Sequence, residues 1–386
     1  MTIPILESVP LPRDRMHEFR FSVGLGGGEN DILSLTSVCS EACTNLVAHL
    51  MRNYSFVAMT GQIPYLLLAG TVAVKAINNV VNMDKLMELI DDTIIDWMTE
   101  KPKEEIDILE TYSKKTVTFS FIYAGSLWFI SCMFCAIPAS THILDFLYPL
   151  NETRKRIFLY PAYFFLDEEK YYYLIITFEV VGSVMIVTVY AVTDVNFMSF
   201  VQHARALYTI SGYRFKHAIE PDYVYYRIND PQKDQVYARL CRSIEIHKKV
   251  ITFIGKIEAS HDKLLFAYIG LIMLMIASTL LKVAEVEKNF EYVTFCAFMA
   301  IQLTNMYLLN SLGQWLKNTS DESLQAIWES LWYNASLKSQ SLYLMVFQRC
   351  LSPPELTACG LVEMNLSTFV QVIKASFSYY TVMKPT

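Results

Sequence analysis

Between Val117 and Ile137 the chain carries no charged side chain, and Pro138 closes the run. A helix needs about 20 mostly apolar residues to cross a hydrocarbon core. In lipid every backbone polar group must be satisfied within the segment or a closed sheet, so a run like this is helical. Further apolar runs lie at 56–74, 172–192, 264–281, 292–309 and 366–383, and a weaker one, holding Glu41 and His49, at 32–50. The composition agrees: 53% of the 386 residues are hydrophobic and 18% charged, where ordinary soluble domains have roughly 25% charged. The expected fold is an all-α membrane protein with seven transmembrane helices, embedded in a lipid bilayer.

Other classes find little support. The net charge is −6, with no basic cluster suited to nucleic acid. Cys132 and Cys135 have metal or redox spacing, but inside an apolar block they read as packing residues. The seven histidines are scattered without a zinc motif, and Gly24–Gly28 lacks the flanking strand and Gly-Lys-Ser/Thr of a phosphate loop. No nucleophile–base arrangement appears, so the chain reads as a protein without catalytic residues, metal or cofactor. The first thirty residues hold Arg13, Arg15 and Arg20 with no apolar core after them, unlike a cleavable signal.

Between the spans, Met83 to Trp97 is amphipathic at helical spacing, and Lys75 marks the end of the second span. The stretches 194–263 and 311–351 are mixed in charge and are expected to extend the helices beyond the membrane. Lys114, Lys115, Arg239, Arg242, Lys248 and Lys249 fall in segments that are inside if the N-terminus is cytoplasmic. The C-terminus is then extracellular. The expected organisation is a cytoplasmic segment 1–31, six helices within 32–309, a cytoplasmic anchor region 310–364, and a last helix with a short tail, 365–386. A G-protein-coupled receptor has the opposite orientation, and no Asp-Arg-Tyr follows span three and no Asn-Pro-x-x-Tyr lies in span seven. A transporter would show internal repeats, and none is evident.

The C-terminal stretch carries a resemblance. Ala326-Ile327-Trp328, Trp332-Tyr333, Gln348-Arg349, Pro353, Leu356-Thr357-Ala358-Cys359-Gly360, Thr368-Phe369, Lys374-Ala375-Ser376 and Ser378-Tyr379-Tyr380-Thr381 resemble the end of the insect odorant receptors. Asp96-Trp97, Glu104-Glu105 and the loop Pro161, Asp167, Tyr172-Tyr173 are looser matches. The likeness covers about residues 56 to 384. Glu179 stands where many relatives carry Gln, and the last helix lacks the Thr-Tyr…Gln-Phe ending of the sister gustatory receptors.

The resemblance implies an odorant-binding subunit of a heteromeric, odorant-gated non-selective cation channel. Its partners would be odorant receptor co-receptor subunits in a heterotetramer, in the plasma membrane of olfactory sensory neuron dendrites. The alternative is a G-protein-coupled or gustatory-type seven-helix chemoreceptor. Small volatile ligands require a dry, aromatic-walled cavity. The side chains expected to supply it are Tyr65, Val72, Tyr123, Ser126, Leu127, Ile130, Thr177, Phe178, Met185, Tyr292, Phe295 and Phe298. Glu179 is expected to hydrogen-bond a partner such as Ser126 or Tyr123, or to meet a cationic amine. The resemblance also implies a pore lined by the last helix, with Lys374 and Ser378 on the conduit, a constriction at Val382, and Met383 and Thr386 at the outer mouth. Trp315, Trp328, Trp332, Tyr333, Leu342 and Phe347 are expected to build the anchor between subunits.

Overall fold

The computed structural model of the chain describes residues 56–136, 138, 157–159, 167, 169–219, 232–286 and 290–383. The segment 1–31, the expected first span at 32–50 and Thr386 lie outside the described residues. Among the described residues the chain is all-α apart from one hairpin. The helices are α1 (Phe56–Val81), α2 (Met83–Met98), α3 (Lys103–Cys135), α4 (Tyr172–Lys216), α5 (Gln232–Glu285) and α6 (Phe290–Trp328). One 3-10 turn (Trp332–Asn334), α7 (Leu337–Cys350), the strands β1 (Thr357–Ala358) and β2 (Val362–Glu363), and α8 (Leu366–Met383) complete the order.

Helices α1, α3, α4, α5 and α6 are long and apolar enough to cross a membrane. The start of α1, the end of α3 and the start of α4 share one end of the bundle, called distal below; α2 and α7 lie at the other, basal end. Each long helix outruns the apolar run that signals it. Beyond Val192, α4 keeps a buried stripe at helical spacing, Phe197, Val201, Ala204, Tyr208, Ser211 and Phe215, so nothing in the sequence stops the helix. Lys75, expected as an end marker, sits inside α1, which runs on to Val81. Its charge is paired within the bundle rather than released to water.

Two cores result. The larger runs through the bundle and joins Val72, Leu89, Tyr123, Val201, Ile254, Tyr268, Met306 and Val372. The smaller, basal core packs Phe215, Leu240, Ile327, Tyr343 and Val346, and the Tyr343 hydroxyl donates to the Phe215 carbonyl at 3.0 Å. Ion pairs fix the basal helices. Arg214 on α4 grips Glu105 on α3 through two hydrogen bonds of 2.7 and 2.8 Å. Asp96 on α2 takes His203 of α4 at 3.0 Å and Lys249 of α5.

Candidate functional site

At the distal end the rings of α1, α3 and α6 converge. Tyr65 lies 6.3 Å from both Phe295 and Phe298, and Phe134 lies 6.5 Å from Phe298. Helix α4 closes beside them, with the Ser183 hydroxyl 3.3 Å from the Cys135 thiol. The inward face of α3 is set by Tyr123, Leu127, Ser131 and Phe134, at i, i+4, i+8 and i+11. Of the expected odorant residues, the structure thus brings Tyr65, Phe295 and Phe298 into one cluster, and puts Tyr123 and Leu127 on the wall leading to it. Val72 is fully buried in the core below. Ile130, Phe178, Met185 and Tyr292 are half-buried. Ser126 and Thr177 are exposed and turn their hydroxyls back onto their own helices, to the carbonyls of Tyr123 at 2.7 Å and Tyr173 at 2.8 Å. Phe134 belongs to the cluster and is absent from the sequence expectation, although its i+7 spacing from Leu127 signals it.

Glu179 is fully buried, and its partner differs from either expected one. One carboxylate oxygen accepts the backbone N–H of Leu159 at 3.0 Å, tying the loop before α4 to the helix; Tyr172 donates to the Ile157 carbonyl of the same loop at 3.2 Å. Tyr123 instead donates to Asp194 at 2.5 Å.

Below the aromatic cluster lies a polar node. Lys75 Nζ is 2.5 Å from Asp194 Oδ1 and 3.9 Å from the centre of the Tyr190 ring. The Tyr190 hydroxyl is 2.6 Å from that of Thr71. Sequence reading missed this node, yet a signal exists: Thr71, Lys75 and Asn78 recur at i, i+4 and i+7 on α1, a polar stripe inside a helix rather than its end.

The last helix is held firmly at its base and loosely above it. The hairpin pairs Thr357 with Glu363 and Ala358 with Val362. Its turn uses left-handed backbone at Cys359 (φ 53°) and Gly360 (φ 67°), the second of which suits a residue without a Cβ. The Thr357 hydroxyl bonds Glu258 of α5, and Lys317 of α6 pairs with Glu355 at 2.6 Å. Asn365 caps α8 by accepting the Thr368 N–H at 2.9 Å, leaving the first turn without an orphaned donor there. Above the cap only one stripe, Thr368, Val372 and Ser376, is buried. Lys374, Ser378 and Val382 follow one another at i+4 on the exposed side, and Met383 is exposed as well.

Long apolar helices around a distal aromatic cluster, with a last helix that exposes Lys374, Ser378 and Val382, define a polytopic all-α membrane protein. The chain matches the family described as 7tm Odorant receptor over residues 55–377, and it belongs to that family. Its fold is similar to that of the insect olfactory receptor OR5 from Machilis hrabei in two solved structures, one of them in complex with eugenol. Each structure superposes with a TM-score of 0.72 at 15% identity, over 97% of this chain and 91% or 92% of that one. Among curated proteins it is 21% identical to Odorant receptor Or1 of Anopheles gambiae over 284 residues, 68% of this chain and 67% of the relative. It is 20% identical to Odorant receptor 13a of Drosophila melanogaster over 87% of this chain and 82% of the relative. The chain is therefore an odorant receptor family protein and not an enzyme.

Proposed function

We propose that this chain is the odorant-binding subunit of an odorant-gated, non-selective cation channel, assembled with odorant receptor co-receptor subunits in the dendritic membrane of olfactory neurons. The observation that carries the reading is the division of α8. A narrow face packs on the bundle, and the opposite face, with Lys374, Ser378 and Val382 in register, is exposed among the described residues. A stripe of one lysine, one hydroxyl and one apolar side chain is unsuited to lipid but suited to a conduit shared with other subunits. Val382, 81% exposed, is then the apolar constriction, and Met383 follows it at the outer mouth. The N-terminus lies in the cytoplasm and the C-terminus outside.

The volatile ligand is taken up in the distal cluster. Tyr65, Phe295, Phe298 and the α3 wall at Tyr123 and Leu127 supply a dry aromatic lining with few polar atoms. The likeness to a fold solved with eugenol supports a small, mostly apolar ligand. Replacing Phe298 by Ala removes the ring shared by Tyr65 and Phe134, and is expected to raise the half-maximal odorant concentration at least about tenfold, the equivalent of 1.4 kcal/mol. A dose–response curve measures it. At the basal end, Trp328, Tyr333, Leu337, Leu344, Met345 and Leu351 are exposed together around the small core. A patch of that kind supports an intersubunit anchor. Trp332, Leu342 and Phe347 are half-buried against that core, and Trp315 packs against Phe119 at 5.5 Å.

The experiment for the pore is Lys374→Gln in channels co-expressed with the co-receptor. Removing a cation from the conduit is expected to raise single-channel conductance and to shift cation permeability ratios. Unchanged conductance and ratios would take Lys374 off the conduit.

A further inference from the structure

Asp194 stands at a point where four helices meet. Its Oδ1 takes Lys75 of α1 at 2.5 Å and its Oδ2 takes the Tyr123 hydroxyl of α3 at 2.5 Å. The lysine ammonium also faces two rings, Tyr190 of α4 at 3.9 Å and Tyr268 of α5 at 5.2 Å. Lys75 and Tyr268 are each only 2% exposed. A charge at this depth is costly unless paired, and here a carboxylate and two aromatic faces surround the ammonium. The carboxylate in turn receives one charged and one neutral donor on separate oxygens. Beside them is a cavity of about 10 Å³ lined by Lys75, Thr193, Asp194, His261 and Tyr268, so the node has little room in which to rearrange.

The position of the node gives it meaning. Tyr123 is one turn of α3 from Leu127, on the face that leads up to Phe134 and the aromatic cluster. Lys75 lies about 15 Å along α1 from Tyr65, at 1.5 Å per residue. In the receptor reading Tyr123 closes the ligand site from below, about 16 Å along α3 from Phe134, and its hydroxyl is committed to Asp194. We propose that Asp194 is a positioning residue for ligand response: it holds Tyr123 and, through Lys75, the α1 wall in one packing. A ligand that displaces Tyr123 must do so against the Asp194 hydrogen bond. This inference rests on the receptor reading above.

Tyr123 and Asp194 are expected to be coupled, whichever gating state the packing favours. Tyr123→Phe removes only the hydroxyl and is expected to shift the half-maximal concentration of an activating odorant at least fivefold, for every active volatile of a broad panel alike, leaving their rank order intact. In the Lys75→Met/Asp194→Leu double variant, where the acceptor and its cation are both gone, adding Tyr123→Phe is expected to change the response less than 1.5-fold. An equal shift in both backgrounds would overturn the proposal, and so would a change of odorant rank order, which belongs to direct ligand contact. A second readout needs no odorant. Lys75→Met leaves Asp194 without its cation and is expected to lower the surface-labelled, folded fraction of the chain at least threefold, and Asp194→Asn added to it is expected to restore most of that loss. Restoration without any odorant-evoked current would leave the node standing and put the receptor reading in question. No restoration would overturn the node itself.

Discussion

A chain carrying Gly313→Ala is expected to fold poorly and to give no odorant response. A Cβ built on Gly313 would lie 1.9 Å from the carbonyl oxygen of Met364 and 2.9 Å from its carbonyl carbon, both backbone atoms. Met364 cannot swing away as a side-chain tip could. Its N–H is bound to the Leu356 carbonyl at 2.9 Å, and the next residue, Asn365, caps α8. Making room means moving the hairpin, and with it the base of the helix proposed to line the pore. Overpacking of this sort costs about 3 kcal/mol, a large fraction of a typical folding free energy. The control is Gly255→Ala in α5, where a Cβ would meet nothing within 4 Å; there the change is expected to be neutral or stabilising by about 0.5–1 kcal/mol. Surface yield and thermal midpoint of the purified protein compare the two. Similar behaviour would mean that α6 and the hairpin are not in close contact.

The second large effect is expected at Asp96. Its carboxylate receives His203 and Lys249 from two different helices, and Lys101 donates to its backbone carbonyl. Asp96→Ala strands the buried His203 and the Lys249 ammonium together, and breaking a buried charged cluster from one side costs about 3 kcal/mol. Asp96→Asn, which keeps an acceptor, is expected to lose less. The site also carries a pH signature. Burial pushes the Asp96 carboxyl up, but hydrogen bonds and charges from His203 and Lys249 outweigh it and hold the carboxyl below its ordinary value. The folded state therefore binds this proton less readily than the unfolded chain does. The stabilisation is fully present above the unfolded aspartate value of about 3.9 and is lost as pH falls through the lowered folded value. Thermal midpoints of the wild type and Asp96→Asn are expected to converge as pH drops below about 4. A constant gap across that range would deny the carboxylate its role.

Which parts of this structure were legible in the sequence follows from what each signal encodes. Apolar runs such as 117–137 and 264–281 report the cost of exposing polar side chains to lipid, so they locate helices without regard to partners. The amphipathic segment from Met83 reports a face, and α2 buries Leu86, Leu89 and Ile90 on the bundle accordingly. The aromatic residues Tyr65, Phe295 and Phe298 could be nominated, but their convergence depends on how α1 and α6 are turned toward each other. Pairings over long separations were not legible. Lys75 and Asp194 each look like the edge of a span when read alone, and only the packing of α1 against α4 shows that each is the other's counter-charge. Glu179 stands out in the sequence as a carboxyl inside an apolar run, but its partner is a backbone N–H at Leu159, a donor that every residue but proline offers and no sequence pattern marks.

Current recorded from cells expressing this chain with and without an insect odorant receptor co-receptor, under a broad panel of volatiles, decides whether it is a channel subunit. A rapid, non-selective cation current is expected from at least one volatile, present only when both chains are expressed and unaffected by inhibition of G proteins. A response that needs no co-receptor and vanishes when G proteins are blocked would contradict the channel-subunit reading.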